Sequence, residues 1–457
     1  MKKYFIKTFG CQMNYSDSER IAAFLELHKF KPGKNINEAN LVIFNTCGVR
    51  QSAEDRVYGQ IHNLTTWNTK HRTKKIIVLT GCLANRKDVQ RRLKDKVDLF
   101  CGIKEFPEKI LSVIATSPWR WKQSLDNLND DKSTGLPRSR SLSAFDGLPR
   151  NDNYLNIEPK YNTKYSAFVP IMTGCNNFCS YCVVPYARGR EISRPAKEII
   201  KEVRVLVKKG YKEIILLGQN ANSYNYRKIN FSKLLKKINA ISGNFWIHFL
   251  TSHPKDMSDE LIKTIAKCEK VCEYVHLPIQ AGDDEILRRM NRNYTARHYP
   301  GLIKKIKSAF TKYKPGVLYA ITSDIIVGFP GETRKQFAKS AEIMRKVKYD
   351  MVYFGQFSPR PGTAAWKMKD NVSKKEKERR EKFLNEILKI TAFENNKNYL
   401  GKIFKVIIDS QKDGFYFGRT RTMKNVKFKS AQKNLVGKFV KIKIIKANIW
   451  NLEGILS

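Results

Sequence analysis

Runs of consecutive β-branched and aromatic residues alternate along most of the chain with charged stretches in which apolar residues recur at helical spacing. In the first 116 residues the apolar runs fall at 5–9, 41–44 and 76–79, with helix-like stretches at 17–29 and 52–63. Uninterrupted apolar runs suit strands buried on both faces, so this alternation predicts a parallel α/β sheet. Between 117 and 160 the pattern fails. Ser, Asn, Asp, Pro and Arg dominate there, and Leu136-Pro137-Arg138 is echoed at Leu148-Pro149-Arg150. A linker with little fixed structure is expected. From 165 to 366 the alternation returns, with strands predicted at 167–171, 213–217, 246–250, 274–277, 319–327 and 351–357. Helices are predicted at 197–208, 299–312 and 373–395. Six βα units fit a partial α/β barrel or a doubly wound sheet, and in such a barrel the chemistry lies at the C-terminal strand ends. From 398 to 457 the texture is all-β, with runs at 403–408, 415–418, 426–428 and 438–445. No repeat with a solenoid-like period is visible.

Length agrees with this division, since 457 residues suggest about three domains. Charge adds a partner. Lys and Arg number 86 against 42 Asp and Glu, a formal net charge of +44. An excess of that size points to a polyanion, nucleic acid before an anionic membrane. The final segment, 398–457, is itself basic, with 13 Lys or Arg against 3 Asp or Glu. A small basic β-barrel is a common RNA-binding module. No stretch approaches the ~20 apolar residues that span a bilayer. Lys2, Lys3, Lys7 and Gly10 break the N-terminus as a signal-peptide core. A soluble, cytoplasmic, monomeric protein is expected, and its nine cysteines in a reducing compartment are ligands, reactive groups or core filler.

The sharpest signal is Gly174-Cys175-Asn176-Asn177-Phe178-Cys179-Ser180-Tyr181-Cys182, directly after the first strand of the second region. Thiolates at this density select zinc or an iron–sulfur cluster. A structural zinc site needs four ligands, and no fourth Cys or His follows closely. Three thiolates can hold three irons of a 4Fe-4S cluster and leave the fourth open, as a catalytic site requires. Zinc and incidental cysteines are the alternatives. Upstream, Cys11, Cys47 and Cys82 each follow an apolar strand, about one βα unit apart. Parallel strands would bring all three to the carboxyl edge of the sheet, where open α/β sheets bind ligands. A second three-cysteine cluster is the expectation there, and small buried hydrophobes the alternative. Cys101 reads as core filler. Cys268 and Cys272 lie in 261–276, which reads as a core-facing helix running into a strand.

CxxxCxxC on the loop after the first strand of a partial barrel resembles the radical S-adenosylmethionine (SAM) superfamily. Together with the upstream cysteines, the chain resembles that superfamily's methylthiotransferase family over nearly its whole length. The match takes in Gly10-Cys11-Gln12-Met13-Asn14, Asn45-Thr46-Cys47, Ile171 to Cys175, Tyr186 to Glu191, Gly218-Gln219-Asn220 and Thr251-Ser252-His253-Pro254. It continues through Leu277-Pro278-Ile279-Gln280, Ile326 to Thr333 and Ser358 to Thr363. Asn85, where glutamine would be expected, and the Arg- and Ser-rich stretch before residue 160 depart from it.

The resemblance implies an N-terminal methylthiotransferase domain over 1–116, a linker over 117–160, a radical-SAM core over 161–396 and a TRAM RNA-binding barrel over 397–457. It implies two 4Fe-4S clusters, held by Cys11, Cys47 and Cys82 and by Cys175, Cys179 and Cys182, with SAM on the open iron of the second. There one electron splits SAM into methionine and a deoxyadenosyl radical. Tyr181 would pack on adenine. Gln219, Asn220, Ser252 and Gln280 would meet the ribose or methionine part, and Gly328 would approach the adenine. His253 reads as structural or functional alike. Arg188, Arg190 and Arg194 are candidates for SAM carboxylate or tRNA phosphate. Arg419 and Arg421, beside Phe415, Tyr416 and Phe417, would bind RNA.

Gly-Cys-Gln-Met-Asn resembles the branch of the family that acts on tRNA. That branch adds a methylthio group to carbon 2 of an isopentenylated adenosine in the anticodon stem-loop, and it requires an electron-donor protein. The alternatives are sister enzymes acting on threonylcarbamoyl-adenosine or on an aspartate of a ribosomal protein, and a non-catalytic zinc-stabilised RNA-binding protein.

Overall fold

The computed structural model describes residues 2–48, 51–71, 75–116 and 153–457. By contacts the chain divides into two units. One is Met1–Asn162 with Tyr186–Arg188, and the other is Thr163–Pro185 with Gly189–Ser457.

The first unit holds β1 (Lys3–Thr8), α1 (Gln12–Leu27), β2 (Lys31–Pro32), β3 (Leu41–Thr46), α2 (Gln51–Lys70), β4 (Ile76–Gly81), α3 (Lys87–Leu93), β5 (Leu99–Phe100) and α4 (Phe106–Thr116). The sheet runs β2-β1-β3-β4-β5, and every pairing is parallel. Successive residues of a strand point to opposite faces. Leu41, Ile43, Ile76 and Val78 therefore enter one core with Ile21, Leu25 and Ile110, while Val42, Phe44, Ile77 and Leu79 enter another with Val57, Ile61, Val89 and Leu93. Two cores flanking one sheet make three layers, α/β/α. The helix expected from residue 17 begins five residues earlier, at Gln12. Its first turns bury Asn14, Ser16 and Asp17, polar residues that hide a helix from an apolar-periodicity reading. Residues 117–152 of the expected linker lie outside the described residues. Of the remainder, Tyr154 and Leu155 are buried in the first core.

The second unit begins with β6 (Ser166–Pro170), β7 (Met172–Thr173), α5 (Val184–Arg188, whose last three residues group with the first unit), β8 (Ile192–Ser193), α6 (Ala196–Lys208), β9 (Glu213–Leu217) and the hairpin β10 (Asn225–Tyr226) and β11 (Ile229–Asn230). It continues through α7 (Phe231–Asn239), β12 (Trp246–Phe249), α8 (Asp259–Lys267), β13 (Tyr274–His276), α9 (Asp284–Arg289) and α10 (His298–Tyr313). Then follow β14 (Ala320–Val327), α11 (Arg334–Val347), β15 (Met351–Gln356) and α12 (Lys374–Lys397). Strands β6, β9 and β12 form one parallel sheet and β13, β14 and β15 another. A parallel bridge, Ile247 to Val271, joins them, so the six predicted strands line up in the order β6-β9-β12-β13-β14-β15. This is a partial (β/α)6 barrel. The helix carrying Cys268 stops at Lys267, with Cys268 as its cap, and both Cys268 and Cys272 are buried.

The C-terminal segment is a closed barrel of β16 (Ile403–Lys412), β17 (Phe415–Thr420), β18 (Asn425–Lys429), β19 (Phe439–Ala447) and β20 (Leu452–Leu456), in the order β16-β17-β18-β20-β19. Strand β20 was not predicted. It is short and carries Gly454, which weakens a strand signal.

The small barrel packs on the N-terminal ends of the larger barrel's strands. The Tyr165 hydroxyl, just before β6, donates to the Asp409 carbonyl at 3.1 Å. Glu213, at the start of β9, meets Arg419, and Glu273, just before β13, meets Arg421. The Trp246 ring, at the start of β12, lies 4.6 Å from that of Phe439. Asp350, just before β15, pairs with Lys424 at 2.7 Å. This corrects the reading of Arg419 and Arg421 as RNA contacts. Their guanidinium groups are occupied by Glu213, Asp409, Glu273 and the Val271 carbonyl, and they fasten one barrel to the other.

Candidate functional site

In the first unit the three predicted cysteines stand on loops that follow β1, β3 and β4. Gly10 has φ +121, in the region that disfavours side chains, and a Cβ there would come within 2.5 Å of Cys47 Cβ and 3.2 Å of its sulfur. The loops of Cys11 and Cys47 therefore meet only because Gly10 has no side chain. Asn14 laces them together. Its Oδ1 accepts from the Cys11 thiol at 3.2 Å, and its Nδ2 donates to the Thr46 carbonyl at 3.0 Å and to Asn45 Oδ1 at 2.9 Å. The Cys82 amide donates to the same Thr46 carbonyl at 2.8 Å. All three loops are thus tied to Thr46, as the register of parallel strands predicts.

Arg188 groups with this unit. It is buried and pairs with Asp17 at 2.7 Å. Burial works against its charge. Asp17 raises its pKa, and Cys82, Tyr154 and Cys11 add to that, so it lies within electrostatic reach of two of the three sulfurs.

In the second unit the loop Cys175–Cys182 leaves the C-terminal end of β7. Gly174, at φ +78, lets that loop lie against the Arg190 carbonyl, where a Cβ would collide with it. The segment after α9 clamps the loop from the other side. Ser180 donates from its amide to the Met290 carbonyl at 2.9 Å and from its hydroxyl to the Arg289 carbonyl at 2.8 Å. Asn291 Nδ2 donates to the carbonyls of Asn177 and Phe178, and Arg292 Nη1 donates to the Cys179 sulfur at 3.4 Å. Burial pushes the Cys175 thiol up, the Asn177 amide pulls it down, and the nearby Cys179 pushes it up again. Among the described residues no three His, Cys, Asp or Glu side chains already converge as a metal cage.

The donor chemistry fits SAM. Five buried polar atoms at the C-terminal ends of β7, β9 and β12 have no hydrogen-bond partner among the described residues: Thr173 Oγ1, Gln219 Oε1, Asn220 Oδ1, Ser252 Oγ and His253 Nε2. Buried polar groups are nearly always satisfied, so five orphans beside one cysteine loop mark the place of a polar ligand. Gln219, Asn220 and Ser252 were predicted. Thr173 was not, and His253 was left open between roles.

His253 is set for donation. Its Nδ1 accepts from the Lys255 amide at 3.2 Å, which leaves the proton on Nε2. Asn222 holds its backbone on both sides, by 2.9 Å bonds to its carbonyl and from its amide. Burial, then Arg292 and Lys255, pull its pKa down to about 2, so the ring stays neutral.

Gln280 is buried and has φ +71, a left-handed backbone rare outside glycine and often found at functional sites. Tyr181 packs against the hydrophobic cluster that contains Met290, Phe329 and Phe357. The Gly328 amide donates to Glu332 at 2.7 Å, and at φ +69 a Cβ there would run into the Lys377 side chain, so the close packing of this turn requires glycine. Arg194 is committed to Glu202 and to the Pro170 carbonyl, and Arg190 lies 4.3 Å over the Phe178 ring.

Three family models match. Residues 169–344 match the radical SAM superfamily, 3–102 match Uncharacterized protein family UPF0004, and 397–456 match the TRAM domain. Among solved structures, the radical SAM methyltransferase TsrM from Kitasatospora setae with cobalamin and a [4Fe-4S] cluster aligns at TM-score 0.52 and 15% identity, covering 80% of this chain and 74% of that one. That likeness concerns the fold alone. Over 99% of its length the chain is 39% identical to the tRNA-2-methylthio-N(6)-dimethylallyladenosine synthase of Clostridium botulinum (strain Okra / Type B1), 96% of which is covered. It is 41% identical to the synthases of the same name from Clostridium novyi (strain NT) and Caldicellulosiruptor saccharolyticus, covering 96% and 92% of them. The fold and its cysteine loop are those of a radical SAM enzyme, a class that works with SAM and a 4Fe-4S cluster. Within that class the chain belongs to the family of tRNA-2-methylthio-N(6)-dimethylallyladenosine synthases.

Proposed function

We propose that this chain modifies tRNA, adding a methylthio group to carbon 2 of an isopentenylated adenosine beside the anticodon. The observation that carries this reading is end-to-end similarity to synthases of that name, spanning both cysteine sets and the C-terminal barrel. Domain roles follow the expected division: sulfur delivery in 1–116, radical chemistry in 161–396 and RNA contact in 397–457.

Cys175, Cys179 and Cys182 would hold the cluster that SAM joins, and Cys11, Cys47 and Cys82 would hold a second. When bound, the first cluster with SAM supplies one-electron chemistry able to take hydrogen from an unactivated aromatic carbon, and the second supplies sulfur. The chain's own groups bind and orient. Ser252 and His253 are donors and Gln219 and Asn220 acceptors for the polar parts of SAM, with Thr173 at the root of the loop. Tyr181 provides an apolar face.

Nucleosides from a strain lacking this gene test the reading. Mass spectrometry should show loss of 2-methylthio-N6-isopentenyladenosine and a matching rise in N6-isopentenyladenosine. Unchanged levels of both would remove this assignment and favour a sister substrate.

Replacing His253 by Phe should weaken SAM binding about tenfold, or ~1.4 kcal/mol, the cost of one buried hydrogen bond. Because the ring is neutral throughout, the penalty should be equal at pH 6 and pH 8 by titration calorimetry. A penalty that disappears at one of these pH values would mean that His253 acts by its charge.

A further inference from the structure

Arg292 is a buried cation with no acidic partner among the described residues. It is 7% exposed. Its Nε donates to the Tyr294 hydroxyl at 2.9 Å, its Nη2 to the Pro278 carbonyl at 3.1 Å and its Nη1 to the Cys179 sulfur at 3.4 Å. None of these partners among the described residues is a carboxylate. A guanidinium taken out of water without an anion is strongly disfavoured, and proteins rarely leave one unbalanced. Arg188 shows the usual solution, since it lies near Cys82 and Cys11 and carries its own carboxylate, Asp17. Among the described residues Arg292 has no such carboxylate, and of its three partners the Cys179 sulfur is the one that becomes anionic as a ligand.

We propose that Arg292 is the counter-charge of the cluster held by Cys175, Cys179 and Cys182, and that it raises the reduction potential of that cluster. The inference rests on the reading of those three cysteines as cluster ligands. Three thiolates on a 4Fe-4S core leave a net negative group, and reduction by one electron from an external one-electron reductant adds a further negative charge. No bond is made or broken in that step. A fixed cation in a poorly hydrated place favours the more negative state, and an N–H donated to a ligand sulfur acts in the same direction. Arg292 is thus a positioning residue, acting through Cys179 and not on the reacting base. The same side chain pins Tyr294, whose ring lies 5.4 Å from that of His253, so the charge is built into the wall of the SAM site.

The test uses the full chain with Cys11, Cys47 and Cys82 all replaced by Ala, which leaves one cluster to observe. That protein should contain about four irons per chain. Absence of iron would overturn the cluster reading and this inference with it. Arg292→Gln, Arg292→Met and Arg292→Lys are then made in the same background, and the paramagnetic signal of the reduced cluster is followed during a redox titration. At the potential where the parent is half reduced, the reduced-to-oxidised ratio should fall at least tenfold in the neutral variants, equal to 59 mV for one electron. Arg292→Lys should stay within threefold of the parent. A smaller fall in the neutral variants, or an equal fall in Arg292→Lys, overturns the proposal. Should neither neutral variant load iron, loading of Arg292→Lys with a native near-ultraviolet circular dichroism spectrum supports a requirement for charge. Failure of all three overturns it in favour of shape.

Discussion

With Cys11, Cys47 and Cys82 all replaced by alanine, the enzyme should still cleave SAM reductively while forming no methylthiolated product. The mirror variant, lacking Cys175, Cys179 and Cys182, should do neither. The argument is spatial as well as chemical. Each set stands at the C-terminal strand ends of its own sheet, on loops with separate supports: Asn14 and Thr46 for one, the Arg289–Arg292 segment for the other. Loss of one set removes no hydrogen bond of the other's scaffold. Iron should fall in each variant from about eight to about four per chain, one 4Fe-4S cluster's worth. Chromatography for deoxyadenosine, mass spectrometry of the tRNA product and iron analysis together read the outcome. Product formation at the parental rate by the first variant would show that its thiols are core residues. Zinc in place of iron in the parent would favour a structural metal in an RNA-binding protein.

The six strands of the larger barrel and the three main strands of the first sheet were legible because each is built on a short run of apolar residues, continuous and buried throughout in the central strands β3, β4 and β9. Such a run has few alternatives to a strand covered on both faces. Cysteine spacing was legible for a related reason. Parallel strands of similar length convert a sequence interval of one βα unit into a shared edge. What stayed hidden depended on partners distant in sequence. Arg419 and Arg421 looked like RNA contacts because a basic β-segment shows its charge and not its neighbours; Glu213 and Glu273 lie far upstream. Arg292 and Asn291 come from an irregular stretch more than a hundred residues after the loop they hold. Thr173 came forward only because its buried hydroxyl is left without a partner among the described residues, and the same observation on Nε2 favours a functional role for His253, which the sequence left open. The packing reason for Gly328 was hidden likewise, because nothing in its local motif shows that Lys377, from α12, lies against it.

Replacing Arg419 by Met should cost about 3–5 kcal/mol of stability at neutral pH, the usual penalty for breaking a buried ion pair from one side. Arg419 holds Glu213 with both Nη atoms at 3.2 Å and Asp409 through Nε at 2.8 Å, and Glu213 is fully buried. Burial alone would push the Glu213 carboxyl up; Arg419, His248 and Ser166 more than reverse this and hold it below the usual carboxylate range. Glu273, between Arg421 and Lys314, is held low in the same way. A depressed carboxyl stabilises the fold above its unfolded pKa and loses that contribution as pH falls through the folded one. His248 adds to the trend, since burial brings its pKa to about 4 from an ordinary 6.5. Between those values the unfolded chain takes up a proton that the folded chain does not, so stability declines as pH drops across that window. Wild-type denaturant midpoints should therefore fall steadily below about pH 6.5. The variant should behave differently. Without Arg419 the buried Glu213 carboxyl favours its neutral form, so acid relieves part of the damage and the gap from wild type narrows as pH falls. Glu213→Gln added to Arg419→Met should recover part of the loss at pH 7 for the same reason. A gap that is constant with pH and unaffected by Glu213→Gln would mean that Arg419 contributes by packing alone.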